Sequence, residues 1–280
     1  MVNKFKKRTY DIVFSLGEAC FVASSLKRFG LRKFSSPFDW MFGATFAERF
    51  RIFLNDFAHF TDKEDFQPAG QRIDPNPQDI YYNQRTGITF NHDFPMNGSL
   101  DADWPMVAEK YARRINRLIR EIKNAEKVLI VYMDIPESNR AAKDNAEIAQ
   151  MAELAGKKYP NTHIDILYVR HNEKMKDGEF SISQYNDNVI LAECFNRKKG
   201  ADDWTGNLSN VRKIMRFIKV KKSLKERLIE FKRNNFALEK KKGNIHLKLF
   251  WMHLSVPQFI LRIAGVGRNV DKTKIEVLPK

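Results

Sequence analysis

The residue best placed for chemistry in this sequence is Cys20, which follows a short apolar segment and a glycine-containing turn. Residues 10–15 predict a buried strand, and residues 16–19 predict the turn that follows it. From Cys20 onward, apolar residues recur at helical spacing until Gly30, so we expect Cys20 to begin a helix. Free backbone N–H groups and the positive end of a helix favour a nucleophilic thiolate at that position. The alternative is a small buried apolar side chain, which is the usual role of a free cysteine.

A cysteine nucleophile needs a general base within hydrogen-bond reach, and usually a third group that orients the base. The sequence has six histidines, and His92 is the best candidate because it ends the predicted strand 87–91. The alternative for His92 is a loop histidine that is hydrogen-bonded to the backbone. The sequence therefore predicts a catalytic pair of Cys20 and His92.

The orienting group is predicted to be Asp93, with Asp39 and Asp134 as alternatives. Neighbouring residues of a strand point to opposite faces, so Asp93 can orient His92 only if the chain turns there, which Pro95 favours. Asp39 is explained almost as well as the cap of a helix N-terminus. Asp134 follows a predicted strand and is therefore expected at the carboxyl edge of a sheet.

The turn before Cys20 is a candidate oxyanion hole. We expect the backbone N–H of Cys20, together with that of Gly17 or Glu18, to stabilise a developing negative charge. Glycine at this position would let a substrate approach the backbone closely. The residues predicted to bind substrate or to support the catalytic pair are Ser15, Gly17, Asp39, Trp40 and Asp134.

A family resemblance rests on three neighbouring blocks, Ser15-Leu16-Gly17-x-x-Cys20, Leu26-Lys27-Arg28-x-Gly30-Leu31-Arg32 and Ser36-Pro37-Phe38-Asp39-Trp40. These blocks resemble the opening signature of a bacterial family named putative papain-like cysteine peptidases. The resemblance extends through Asn91-His92-Asp93-Phe94-Pro95 to Asp203-Trp204-x-Gly206-Asn207. The resemblance implies a cysteine nucleophile and peptide hydrolysis. A papain-like domain would begin with the cysteine helix and then supply an antiparallel sheet.

The local pattern instead favours a three-layer α/β sandwich with a mostly parallel central sheet. Apolar runs at 127–133, 163–169 and 189–194 predict buried strands, and residues 139–158 predict a helix between the first two. Earlier in the chain, residues 42–60 and 105–124 predict amphipathic helices. The intervening segment 61–87 is expected to be a long surface excursion, with a short strand near 80–82, that covers the site.

The net charge of +15 is concentrated near the end of the chain. Residues 1–211 hold 30 Lys and Arg against 29 Asp and Glu, whereas residues 212–280 hold 19 against 5. We therefore predict one α/β domain over 1–211 and a basic, amphipathic helical extension over 212–280. Such an extension suits an anionic membrane surface, and nucleic acid is a less favoured partner. The remaining alternative is a solvated charged helix followed by a segment packed on the body.

Other sequence features limit the compartment and the chemistry. Two widely separated cysteines, no signal-peptide pattern and no long apolar run predict a cytoplasmic protein, peripheral on the inner face of the cell membrane. No nucleotide-binding glycine motif and no zinc-ligand spacing is present, so neither a cofactor nor a metal is expected.

The sequence favours a cysteine-dependent hydrolase or acyltransferase that works through a thioester intermediate. A role in cell-envelope polysaccharide biosynthesis is suggested by residues 262–267 and 274–278, which resemble the terminal hairpins of bacterial enzymes that build surface polysaccharide. Two alternatives stay open. One is a non-catalytic module that docks a membrane or a polyanion, and the other is a glycan-modifying transferase in which aspartates do the chemistry.

Overall fold

The computed structural model describes residues 5–73, 76–136, 138–197, 206–223, 236–241, 244–249 and 252–257, the last three ranges by their backbone only. The helices within these residues are α1 (Cys20–Arg28), α2 (Phe46–Leu54), α3 (Leu100–Lys123), α4 (Asn145–Lys158) and α5 (Leu208–Met215). The strands are β1 (Arg8–Tyr10), β2 (Ile12–Gly17), β3 (Met41–Gly43), β4 (Phe66–Arg72), β5 (Gln78–Asn83), β6 (Ile88–Pro95), β7 (Lys127–Met133), β8 (His163–His171), β9 (Phe180–Asn186), β10 (Val189–Cys194), β11 (Ile218–Val220), β12 (Phe236–Lys241), β13 (Asn244–Leu249) and β14 (Met252–Pro257).

A five-stranded sheet in the order β2-β7-β8-β10-β9 positions the helix that begins with Cys20. The first four strands run parallel, and β9 pairs antiparallel with β10, so the sheet is mixed. Helices cover both faces of this sheet. On one face, Leu129 and Val131 of β7 belong to an apolar cluster with residues of α1 and α5. On the other face, Ile130 and Tyr132 belong to a second apolar cluster with residues of α2 and α4. The predicted α/β fold is confirmed, but its central sheet is mixed.

A second sheet, in the order β3-β6-β5-β4, is wholly antiparallel. Its strands β4 and β5 lie in the segment 61–87 that was predicted to be a surface excursion. Only Phe66 of β4 is fully buried, and the strand reads Phe-Gln-Pro-Ala-Gly-Gln-Arg. A mostly exposed edge strand has no run of apolar residues, which explains why the sequence pattern did not reveal it. The strand predicted near 80–82 is present as part of β5.

Helix α2 is shorter than the predicted span 42–60, which is therefore corrected at both ends. At its start, Thr45 Oγ1 accepts from the backbone N–H of Glu48, and the Glu48 carboxylate accepts from the backbone N–H of Thr45. This reciprocal capping fixes the first turn at Phe46. At the other end, Asp56 and Phe57 have φ angles of 54° and 62°, which no right-handed helix contains.

The chain divides into two compact units, Met1–Lys221 and Lys222–Lys280. Within the first, β11 pairs in parallel with β1, and α5 packs on α1. The predicted boundary at residue 211 stays a prediction. None of the described helices is long and apolar enough to cross a membrane.

The second unit contains an antiparallel sheet in the order β12-β13-β14. The prediction of a helical extension is therefore wrong for these three segments, while the rest of 222–280, apart from Lys222 and Ser223, lies outside the described residues. The sequence does contain the strand signal. Ile245, Leu247 and Leu249 alternate with polar residues, and this period of two is typical of a strand.

Candidate active site

The structure brings Cys20 and His92 together, with Cys20 Sγ lying 3.4 Å from His92 Nε2. Cys20 is the first residue of α1 and lies three residues after Gly17, the carboxyl end of β2, whereas His92 belongs to β6 of the antiparallel sheet. Each sheet therefore supplies one member of the pair. The Cys20 side chain is almost enclosed, since the residue is only 4 % exposed, and His92 is half-buried.

An irregularity in β6 directs the His92 side chain. Asp79 of β5 pairs with Phe94, and Tyr81 pairs with Phe90, so β6 advances four residues where β5 advances two. The extra residues form a bulge that interrupts the normal alternation of side chains. As a result, Phe90 and Asp93 both contact Tyr111 of α3, although they are an odd number of residues apart, and His92 is left to face Cys20.

The carboxylate of Asp93, the predicted orienting group, contacts α3 instead of the His92 ring. It accepts hydrogen bonds from Tyr111 Oη, at 3.0 Å to Oδ2, and from Lys110 Nζ. These contacts fasten β6 to α3 behind the site. Asp93 acts on His92 only through its charge, which tends to raise the pKa of His92.

Arg72, the last residue of β4, is the group in contact with the second ring nitrogen of His92. Its Nη1 donates to His92 Nδ1 over 2.9 Å. Because arginine is only a donor, Nδ1 must be the acceptor, and the ring proton of the neutral imidazole sits on Nε2, facing the sulfur. A general base needs the opposite tautomer, with a free electron pair on Nε2. In this geometry, His92 donates towards Cys20.

Burial outweighs the features that favour a thiolate. It raises the pKa of Cys20 to about 11, against the lowering effects of the Cys20 backbone N–H, Arg72 and Arg49. Burial also lowers the pKa of His92, and the positive charge of Arg72 lowers it further. The expectation of a thiolate at rest is therefore corrected: the enclosed pair is thiol and neutral imidazole near neutral pH.

The turn that precedes Cys20 is built around Arg49, a fully buried arginine of α2. Its guanidinium makes five hydrogen bonds of 2.8–3.2 Å to four carbonyl oxygens, those of Leu16, Glu18, Met41 and Gly43. Gly17 has a φ of +131°, and a Cβ there would lie 2.3 Å from Arg49 Nη1. Only glycine fits between the turn and the guanidinium.

Glu18 ties the same turn to the loop that follows β7. Its buried carboxylate accepts from Arg140 Nε at 2.7 Å, from Ser138 Oγ, and from the backbone N–H of Ile135 at 3.3 Å. Arg49 and Glu18 thus hold the turn before Cys20 from two directions, through α2 and through the loop after β7.

Ser15 and Gly17, two of the residues predicted to support the catalytic pair, are hydrogen-bonded to each other. Ser15 Oγ accepts from the backbone N–H of Gly17 at 3.1 Å. That donor is engaged, which leaves the backbone N–H groups of Cys20 and Glu18 as the predicted oxyanion donors.

Asp39 and Trp40 directly precede β3. The buried Asp39 carboxylate accepts from Arg32 Nη1 at 2.6 Å and from the backbone N–H of Ser36 at 3.1 Å, and burial raises its pKa. The Trp40 ring stands edge-on to the His92 ring, with centroids 6.0 Å apart. Asp39 therefore supports the segment that places Trp40 against His92, and its own bonds are to Arg32 and Ser36.

Asp134 has different surroundings. Its carboxylate accepts from Tyr168 Oη, and burial raises its pKa to about 6. It lines a small cavity of about 10 Å³ beside the first turn of α1, together with Phe21, Val22 and Met133. Asp134 is therefore a lining residue next to α1, and its hydrogen bond is to Tyr168.

Three other histidines are each engaged by an acidic residue of their own segment. His59 Nδ1 lies 2.6 Å from Asp62, His163 Nε2 lies 2.9 Å from Asp165, and His171 Nε2 lies 2.8 Å from Glu173. His59, Asp62 and Asp65 also place ligand-type atoms within 4.8 Å of one another. His92 differs from these three because its two ring nitrogens face a thiol and a guanidinium.

The chain is similar to known proteins over more than half of its length. Residues 11–174 match the model of a family described as "Putative papain-like cysteine peptidase". The chain is also 24 % identical over 176 residues to the uncharacterized protein R408 of Acanthamoeba polyphaga mimivirus, covering 58 % of this chain and 78 % of that protein. No solved structure matches the chain significantly. The matched range contains Cys20, Arg72 and His92.

Proposed function

The chain belongs to the family of putative papain-like cysteine peptidases, and on this premise we propose that it is a cysteine-dependent hydrolase or acyltransferase. The observation that supports the proposal most strongly is the 3.4 Å contact between Cys20 Sγ and His92 Nε2. A thiol and an imidazole in contact, at the end of a strand and the start of a helix, form the minimal unit of thiol-based acyl transfer.

The proposed reaction proceeds through a thioester. His92 Nε2 takes the proton of the Cys20 thiol as Sγ bonds to the carbonyl carbon of the substrate. The proton then passes from His92 to the leaving amine or alcohol as its bond to that carbon breaks. Water, or an acceptor hydroxyl or amine, attacks the thioester and restores the thiol. The backbone N–H groups of Cys20 and Glu18 are the proposed oxyanion donors.

This sequence of proton transfers requires a change at His92. Nε2 can accept the thiol proton only when the ring proton sits on Nδ1, and Arg72 occupies Nδ1 in the free protein. Arg72 must therefore leave Nδ1 when substrate binds. If water attacks the thioester, the enzyme is a hydrolase, as the family name implies. If a sugar hydroxyl attacks it, the enzyme is an acyltransferase of cell-envelope polysaccharide assembly.

Trapping the acyl-enzyme tests this proposal. We expect the folded protein, incubated with p-nitrophenyl acetate or a peptide thioester, to gain the mass of one acyl group on the peptide that contains Cys20. Hydroxylamine should remove the group, because it cleaves thioesters. Measurement by intact-protein and peptide mass spectrometry locates the adduct.

Matched variants decide the outcome. Cys194→Ser should retain the adduct, since Cys194 is enclosed at the end of β10 and has no ring partner among its described contacts. Cys20→Ala should lose it while keeping the circular dichroism spectrum of the folded protein. An adduct that persists in Cys20→Ala would show that another residue is acylated and would overturn the proposal.

The proposed location is the inner face of the cell membrane, approached through residues 212–280. The support is the excess of 19 Lys and Arg over 5 Asp and Glu in that segment. We expect the protein to sediment with phosphatidylserine vesicles at low salt and not with phosphatidylcholine vesicles. Equal sedimentation with both, or with neither, would contradict this location.

A further inference from the structure

The guanidinium of Arg72 is incompletely satisfied, although it sits directly on the catalytic pair. Nη1 donates to His92 Nδ1 and Nη2 donates to the backbone carbonyl of Asn76, each over 2.9 Å. Nε is buried and has no hydrogen-bond partner among the residues that the structure describes. A buried N–H donor without an acceptor is unfavourable, so the guanidinium is not held by a full set of acceptors and can exchange the imidazole nitrogen for a better one.

The acidic residues around the pair are already matched to other cations. Glu18 pairs with Arg140, Asp39 with Arg32, and Asp93 with Lys110. Among the ion pairs of the described residues, none includes Arg72. The site therefore keeps an uncompensated positive charge next to Cys20, and that charge is carried by a planar donor whose geometry matches a carboxylate.

We propose that Arg72 is the binding group for a carboxylate of the substrate, placed next to the acyl carbon that Cys20 attacks. This inference rests on the proposed function and names its substrate class, an acyl donor that bears a free carboxylate close to the scissile bond. The carboxylate replaces His92 Nδ1 as the acceptor of Nη1 and takes a second hydrogen bond from Nη2, which forms a two-point ion pair with the end of the guanidinium.

Substrate binding then prepares the base. When the carboxylate takes the guanidinium, Nδ1 is free to carry the ring proton, and Nε2 becomes the acceptor that the thiol needs. The same ion pair neutralises the charge that opposes protonation of the ring. Arg72 therefore selects the substrate and favours the inactive tautomer of His92 until a carboxylate binds, so acyl donors and alkylating reagents without a carboxylate react more slowly.

Two alkylating reagents that differ mainly in charge test this inference. Iodoacetate and iodoacetamide both form an Sγ–carbon bond with Cys20 and release iodide, the thiol proton passing to base. Only iodoacetate carries a carboxylate. We expect the ratio of the iodoacetate rate to the iodoacetamide rate at Cys20 to fall about tenfold in Arg72→Gln, the loss of one charge-assisted bond.

The ratio cancels any effect of the variant on the thiolate fraction of Cys20, since both reagents need the same thiolate. Arg85→Gln removes the same charge from an exposed residue in the β5–β6 turn and should leave the ratio unchanged. Arg72→Lys should retain part of the preference, because it keeps the charge but loses the planar pair of donors.

The outcomes separate the two claims. If iodoacetamide labels Cys20 and the ratio is the same in wild type and Arg72→Gln, the carboxylate site is overturned while the nucleophile stands. If Arg85→Gln lowers the ratio as much as Arg72→Gln, general surface charge explains the preference, and the site is again overturned. If neither reagent labels Cys20 in the folded protein, both the proposed function and the carboxylate site are overturned.

Discussion

Replacing His92 by glutamine is expected to slow acylation of Cys20 by between about a hundredfold and ten-thousandfold, the usual contribution of a positioned general base. Glutamine keeps the approximate size of the ring and a polar group, but it cannot take the thiol proton. Burial holds the pKa of Cys20 at about 11, so a thiol without its base is almost wholly protonated at neutral pH. The rate of acyl-enzyme formation under single-turnover conditions measures the effect.

His163→Gln is the matched control. The side chain of His163 is 43 % exposed and pairs with Asp165, so its replacement should leave the acylation rate unchanged. Equal rates in the wild type and His92→Gln would show that the 3.4 Å contact between Cys20 and His92 has no part in the reaction.

The pH dependence of the wild type tests independently whether His92 is the general base. Acylation needs a neutral His92 ring, so activity falls when the pH drops through the pKa of His92. Because burial and Arg72 lower that pKa, the fall should come below the ordinary histidine value of about 6.5. The Arg72→Gln variant lacks the positive charge that lowers the pKa of His92, so the fall in activity should move to higher pH. A fall centred above the ordinary value in the wild type would contradict the geometry.

Replacing Arg49 by methionine is expected to lower the free energy of unfolding by at least about 3 kcal/mol. Arg49 is fully buried, and its five hydrogen bonds satisfy carbonyl oxygens of the turn before Cys20 and of β3. Methionine fills much of the volume but leaves these buried acceptors without the charged donor. Urea unfolding followed by fluorescence measures the change.

Arg51→Met provides the comparison within the same helix. Arg51 is exposed on α2, and its replacement should change the free energy of unfolding by no more than about 0.5 kcal/mol. If Arg49→Met costs no more than Arg51→Met, the buried guanidinium does not hold the turn in place.

The half of the site around Cys20 could be predicted from the sequence because its signals are local. An apolar strand, a glycine turn and a helical period follow one another between residues 10 and 30, and β2 and α1 lie there. Arg49 also left a signal that was missed. It stands three residues after Phe46 and four before Phe53, on the side of the helix that the spacing assigns to the core.

The half around His92 was predicted less completely, because its geometry depends on contacts distant in sequence. The strand and the histidine were identified, but the bulge in β6 depends on its pairing with β5 and has no signature in residues 88–95 alone. Arg72 ends an exposed strand without apolar periodicity, so nothing local distinguishes it from other surface arginines. The burial that raises the pKa of Cys20 likewise arises from packing of the whole unit.

The two cysteines of the chain allow the most direct test of the central claim, that Cys20 is a reactive group served by His92. We expect iodoacetamide to alkylate Cys20 in the folded protein at least about ten times faster than Cys194, because Cys20 contacts His92, whereas Cys194 is fully enclosed and burial raises its pKa. Peptide mass spectrometry resolves both rates in one sample. Labelling of Cys20 that is as slow as that of Cys194, and that begins only when the protein unfolds, would contradict the account.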